Sequence, residues 1–302
     1  MEYPEYRNDV DLARAIHKKY GKSFYFGTFL LTKKHHDATC ILYAFFRYPD
    51  EYVDTVYVKE SQTAREKLNI WKNEWKAIYG GEKSTLEGES EQILRATKYV
   101  FDAYDIPFEL STHFLEAMSM DTWKREYATY EDLKKYMYGS AGVVGIIMTY
   151  IFCNDDVRFK GSEEYREKVL DRAEALGEAF QMTNFLRDIG DDIASRGRIY
   201  IPQEDMNMYN VSRQDLIDRK MTKNIRELLA FEIKRTHALY ILADEGIQLL
   251  PPTAGKAVYI ARVLYSQILR VLESEAFDIF RKRAHLTFIQ KAYIALPIVL
   301  RT

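Results

Sequence analysis

Apolar residues recur at three- and four-residue spacing through most of the 302-residue chain, and stretches of strict alternation are few. Glycine and proline gather at interruptions of that pattern: Gly80-Gly81, Pro107, Gly161, Pro202 and Pro251-Pro252. The spacing predicts helices over about 9–20, 35–57, 62–79, 87–104, 108–123, 130–153, 162–194, 222–249, 252–281 and 285–299, with Ser162, Ser212 and Thr222 as N-caps. No interruption is long enough for an interdomain linker and no period repeats. One all-α domain over 1–302 is the expectation.

One predicted helix is unlike the rest. Residues 136–153, YMYGSAGVVGIIMTYIFC, run for 18 positions without a charge. That reaches the lower limit for a membrane span. The segment is solitary, however, and charged helical sequence flanks it on both sides. A helix buried all round within a large helical protein has the same pattern and is the expected state. On such a helix Tyr138, Gly142, Gly145 and Thr149 share one face with little side-chain volume. Two readings fit that face: close helix packing, or the lining of a channel for a long apolar chain with Tyr138 at its head.

Two other helices carry rows of acids. In QMTNFLRDIGDDIASRGRIYIP (181–202), Asn184, Asp188 and Asp192 follow at four-residue steps, with Gln181 a turn earlier and Arg187, Arg196 and Arg198 alongside. At about 100° per residue this polar row spans only about 80°, while Phe185, Leu186 and Ile189 lie on another side. Like charges four apart on a helix repel by a few tenths of a kcal/mol, and Asp is a poor helix former. A lone pair of this kind is most often a solvated acidic face. Here a second pair occurs in YAFFRYPDEYVDT, where Asp50 and Asp54 share a face with Tyr43, Arg47 and Tyr57. Leu42, Phe45, Val53 and Val56 form the adjoining core stripe, Glu51 and Tyr52 point away, and Pro49 interrupts the hydrogen bonding just before the acids. Two four-spaced acid pairs, each with arginine, point to function. Oxygen donors without Cys or His suit a hard divalent ion, Mg²⁺ above all, bridging carboxylates to substrate phosphate oxygens. A diphosphate held between two acidic helices is the expected ligand.

Composition narrows this further. A net charge of −2 argues against a nucleic-acid partner, which needs a basic surface. The aromatic content, 23 Tyr and 16 Phe, suits a large apolar cavity, although aromatic-rich cores are common. Cys40 and Cys153 lie in apolar helical stretches without zinc spacing, as buried free thiols of a reducing compartment would. None of the six histidines shows ligand spacing, and His35-His36 are expected at the wet start of their helix. The acidic opening MEYPEYRNDVDLAR lacks the apolar core of a secretory signal, so a cytoplasmic location is expected.

Together the segments SFYFGTFLL (23–31), FFRYPDEYVD (45–54), MDTWKREYATYEDLKKYMYGSAGVVG (120–145) and QMTNFLRDIGDDIASRGRIYIP (181–202) resemble the squalene/phytoene synthases, the head-to-head prenyl synthases, in that family's order. ARVLY (261–265) and FDIFRKRA (277–284) extend the match more weakly. The resemblance implies an all-α isoprenoid synthase fold around a central apolar cavity. It implies Asp50 and Asp54 as one Mg²⁺ motif and Asn184, Asp188 and Asp192 as the other, with Mn²⁺ as a substitute ion and Asp191 auxiliary. Ser23, Arg47, Gln181, Arg187 and Arg198 would hold diphosphate or its ions. Tyr43 and Tyr138 match tyrosines beside the reacting carbons, and Phe24 and Phe26 would face the cations. YMYGSAGVVG with NFLRDIGDD and RGRIYIP looks closest to bacterial-type phytoene synthases. That implies condensation of two geranylgeranyl diphosphates through a cyclopropylcarbinyl diphosphate, without NADPH. A C30 enzyme acting on farnesyl diphosphate is the alternative, and a non-catalytic binding or assembly relative is the reading of another class. Against the latter, all four aspartates are present. A water-insoluble product implies peripheral membrane contact, with AYIALPIVLRT (292–302) as one docking element.

Overall fold

The structure of the chain, a computed structural model, describes residues 7–21, 27, 28, 30–54, 61–274 and 278–300. Ser23, Phe24 and Phe26 therefore lie outside the described residues, as does the tail of the second predicted helix after Asp54. Among the described residues there is no strand. In chain order the helices are α1 (Arg7–Tyr20), α2 (Lys33–Asp54), α3 (Ser61–Tyr79), α4 (Glu89–Ala103), α5 (Phe108–Met120), α6 (Tyr130–Met137) and α7 (Val143–Phe152). They continue with the short α8 (Val157–Gly161), the 29-residue α9 (Glu163–Asp191), the short α10 (Gln203–Met208) and α11 (Arg213–Ile217), then α12 (Lys223–Ile247), α13 (Pro252–Leu272) and α14 (Phe288–Leu300).

Local chemistry sets several boundaries as expected. Ser162 caps α9 through the Tyr165 N–H, Thr222 caps α12 through Ile225, and Ser212 forms a reciprocal capping box with Asp215. The prediction of one helix over 252–281 fails at its end. α13 stops at Leu272, and Ile279 and Phe280 turn back to bury themselves in a second core instead. Tertiary burial overrides a continuing apolar pattern there.

α9 organises the fold. Its Met182 and Phe185 enter one apolar cluster, built around Phe45, Trp71, Trp75 and Phe101. Its Ala179, Leu186 and Ile189 enter another, shared with Ile233, Tyr240 and Leu269. Packed from several sides, α9 carries buried residues around most of its circumference.

The charge-free segment 136–153 is buried against α9, and no helix among the described residues is long and apolar enough to cross a membrane. It is also not one continuous α-helix. A π-helical turn occupies Tyr138–Gly142 between α6 and α7. Such a turn inserts an extra residue and rotates the helix before it relative to the helix after it. The small residues here serve close contact: a Cβ on Gly145 would stand 2.3 Å from the Ala173 carbonyl oxygen, and one on Gly177 would stand 2.3 Å from that of Ala141. α7 and α9 thus touch backbone to backbone.

Two smaller expectations are corrected or met. His35 and His36 are half-buried rather than wet, because the start of α2 packs inward, with the His35 ring 6.0 Å from that of Phe152. Cys40 and Cys153 are buried and free.

The backbone contact makes a prediction. Gly177→Ala should destabilise the protein by about 1–3 kcal/mol through overpacking, although alanine is the better helix former by ~1 kcal/mol. Urea unfolding checks this, and a stabilised variant would show that the helices can part at no cost.

Candidate active site

A single cavity of about 1340 Å³ receives both acid rows. From α2 come Tyr43, Arg47, Asp50 and Asp54, and from α9 and the π-helical turn after it come Gln181, Asn184, Arg187, Asp188 and Asp192. Arg198 also reaches the wall. The rest of the lining is largely apolar: Phe46, Phe114, Val144, Met148, Phe152, Leu176, Phe180, Ile247, Leu250 and Val258 among others. Exposed Asp191 stands at the same edge.

The acids face one another, and arginines hold them. Arg196 spans the two rows, with Nη2 3.1 Å from Asp54 Oδ2 and Nη1 2.7 Å from Asp192 Oδ1. Arg47 Nη1 donates to Asp50 Oδ2 at 2.7 Å, and its guanidinium lies 4.7 Å from the centre of the Tyr20 ring. Asp188 accepts a forked pair from Arg187, at 2.8 and 2.5 Å, and a second from Arg283, at 2.6 and 2.9 Å.

Titration follows these surroundings. Burial raises the Asp50 carboxyl, and the neighbouring Asp54 raises it further. Its side chain is 42% accessible and lines the cavity. Asp192 is pushed up to about 6, first by burial and then by Asp188, against the pull of Arg196. Asp188 goes the other way: burial would raise it, but hydrogen bonds from Arg187 and Arg283 outweigh that and hold it low.

Whether these residues suit a divalent ion can be judged from the donors. All are oxygens, and Asn184 Oδ1 is buried without a hydrogen-bond partner. Among the described residues no three His, Cys, Asp or Glu side chains are gathered closely enough to hold an ion alone. The donor chemistry therefore fits a hard ion that completes its shell with water and phosphate oxygens. Asp50, Asp54, Asn184, Asp188 and Asp192 would supply the protein's share.

Three positions differ from expectation. Tyr138 is not in the cavity lining; its ring packs 5.5 Å from that of His113, on the far side of its helix. The π-helical turn is the cause, and it brings Tyr136, Ser140 and Ala141 to the wall instead. Gly142 likewise leaves the cavity face, where a Cβ would stand 3.0 Å from Glu174 Cγ. Arg198 is only 4% exposed, and it donates to the Val53 and Asp121 carbonyls at 3.0 and 2.9 Å. It braces the end of α2 beneath Asp54, 3.8 Å away.

Two site residues escaped the sequence reading. Asp121 is buried beneath the site, accepting from Tyr136 Oη at 2.7 Å and Tyr200 Oη at 3.2 Å. Burial raises its carboxyl, with Arg198 opposing. Arg283 lies 95 residues from its partner Asp188. One signal pointed to it: Gly190, inside the acid row, where a Cβ would stand 2.9 Å from the Ile279 carbonyl oxygen. The missing side chain lets the segment carrying Arg283 lie directly on α9.

An all-α fold with two acid rows facing each other across a deep apolar cavity is the architecture of isoprenoid synthases. A family model described as squalene/phytoene synthase matches residues 17–290, and the chain belongs to that family. Among its relatives, a phytoene synthase of Arthrospira platensis is 32% identical over 304 residues, covering 99% of this chain and 94% of the relative. A 15-cis-phytoene synthase of Synechococcus elongatus is 32% identical over 289 residues, covering 95% and 91%. A crystal structure of a dehydrosqualene synthase superposes with a TM-score of 0.85 at 24% identity, covering 98% of this chain and 97% of that one, and shares the fold.

His17, against the cavity wall, makes the fold acid-sensitive. Its ring stacks 4.2 Å from that of Tyr43, and burial, with His36 adding to it, lowers its pKa to about 4. Above about pH 6.5 the ring is neutral in both states. Between there and pH 4 only the unfolded chain takes up the proton, so stability falls as pH falls, by at most ~3 kcal/mol. The urea midpoint should drop more between pH 7 and pH 5 in the native protein than in His17→Phe; equal drops would remove His17 from the cause.

Proposed function

We propose that the chain is a phytoene synthase, joining two geranylgeranyl diphosphates head to head in a carotenoid pathway. The observation that carries this reading is the pairing of two acid rows with arginines at one end of a long apolar cavity, in a chain of this family. One end suits a diphosphate and the other suits a prenyl tail.

The chemistry follows from that polarity. Mg²⁺, or Mn²⁺ in its place, would neutralise the diphosphate as it leaves. Arg187, Arg196, Arg283 and Arg47 supply positive charge around the same departing group. An allylic cation remains, and the C2–C3 double bond of the second molecule attacks it. A proton is lost as the cyclopropylcarbinyl diphosphate closes. A second ionisation and ring opening, with loss of one more proton, give the symmetric hydrocarbon. Nothing is reduced in that sequence, so NADPH is not required. The apolar wall excludes water that would quench the cations to alcohols. Tyr43, with its hydroxyl pushed up to about 12 by burial, is a neutral aromatic surface rather than a base.

Purified protein with Mg²⁺ and each prenyl diphosphate, with and without NADPH, is expected to release phytoene from geranylgeranyl diphosphate. No C30 or C40 hydrocarbon from any combination would sink the enzyme reading. Asp54→Asn and Asp188→Asn are expected to cut turnover by about 100-fold or more with helicity unchanged, since each removes an anionic donor for the divalent ion that would neutralise the leaving group.

Membrane contact belongs to the same reading. α14 buries Ala295 against Ile260 and Leu264, but its outer side presents Ile289, Tyr293, Leu296 and Leu300, between 57% and 81% exposed. Arg281 and Lys282 stand exposed just before it, and Leu286 and Lys291 line the cavity. An apolar face flanked by cations beside the cavity suits an anionic lipid surface and release of a hydrocarbon. Flotation with anionic liposomes is expected to carry the protein upward, and Ile289→Asp with Tyr293→Asp to leave it behind. Equal flotation of both would remove α14 from this role.

A further inference from the structure

The cavity runs along α9 far beyond the acids. Its lining on that helix continues from Asp188 through Leu176 and Ala173 to Arg172 and Val169. At about 1.5 Å per residue, the axial distance from Asp188 is roughly 18 Å to Leu176, 22 Å to Ala173 and 28 Å to Val169.

Other elements pack at the same end. Val169 clusters with Cys153 and Phe159, and Leu250 packs against them. A Cβ on Gly246 would stand 2.2 Å from Arg172 Cβ, so α12 presses on α9 there. Arg172 Nε donates to Glu245 Oε2 at 2.9 Å, which pairs the charged end of its side chain. The far chamber is thus bounded by Phe152, Val169, Arg172, Ala173, Gly246 and Leu250, all of which line the cavity.

Chain geometry gives this chamber a meaning. An extended chain advances about 1.2 Å per bond, as a polypeptide does over its three bonds per residue, so a four-bond prenyl unit spans about 5 Å. With about 6 Å for the diphosphate, extended farnesyl diphosphate reaches roughly 21 Å and geranylgeranyl diphosphate roughly 26 Å. The first ends at the level of Ala173. The second needs the chamber beyond it.

We infer that the chamber between Ala173 and Val169 houses the fourth prenyl unit, and that Ala173 and Leu250 set the chain length this enzyme accepts. The inference rests on the head-to-head prenyl reading and specifies its substrate. Small Ala173 leaves the passage open. Leu250, with Val169 behind it, ends the chamber before a fifth unit.

The test measures kcat/KM and products with C15, C20 and C25 diphosphates. The native protein is expected to prefer C20 to C15. In Ala173→Phe that ratio should fall about tenfold or more, with C30 product replacing C40, since a blocked subsite discriminates by at least the contacts of a prenyl unit. In Leu250→Ala, turnover of the C25 diphosphate should rise relative to C20. If Ala173→Phe does not fold, Leu250→Ala decides. A folded Ala173→Phe with an unchanged ratio overturns the inference, as does a native protein that uses C15 alone, and both leave the reaction class standing. A native protein that turns over none of the three overturns the proposed function instead.

Discussion

Arg196 between Asp54 and Asp192 is the contact on which the site depends. Two helices that each repel themselves are brought face to face, and a charge buried without a partner costs several kcal/mol. A guanidinium can reach both rows at once because its donors form a rigid fork. The same solution recurs at Asp188, with Arg187 and Arg283, and at Asp50, with Arg47. The arginines that offset the acids are also the charges a diphosphate would meet. Holding the fold together and, in the proposed reaction, stabilising the leaving group would thus fall to one set of side chains.

The apolar part of the cavity depends on a different constraint, the close approach of backbones. α7 and α9 meet through Gly145 and Gly177, α12 meets α9 through Gly246, and the segment bearing Arg283 meets it through Gly190. Each contact replaces a side chain with main chain and fixes how far α9 stands from its neighbours. The cavity is the space those distances leave. Its length along α9 then ties the acids at one end to a largely apolar chamber at the other, and a linear prenyl diphosphate matches that polarity.

The acid rows could be read directly because four-residue spacing on a helix is geometry that neighbours barely disturb. Asp50 with Asp54, and Asn184 with Asp188 and Asp192, lie on cavity faces, as do Tyr43, Arg47, Gln181 and Arg187. Tyr138 shows where such reading fails. A uniform angle per residue cannot anticipate a π-helical turn, which the packing of Gly139 on α5 and Gly145 on α9 imposes from outside the segment. Arg198 shows what spacing leaves out. Its neighbours in sequence place it near the acids, but hydrogen bonds to Val53 and Asp121, residues remote in the chain, make it a brace.

Period, capping and charge spacing therefore settled the all-α class, most helix boundaries and both acid rows, since these depend on residues within a turn or two of each other. Asp121 beneath the site, Arg283 on Asp188, the end of α13 and the chamber between Ala173 and Val169 came from contacts between distant segments. Such contacts are set by how closely backbones pack and by which buried charge finds a partner. Those quantities belong to the assembled bundle and to no single stretch of the chain.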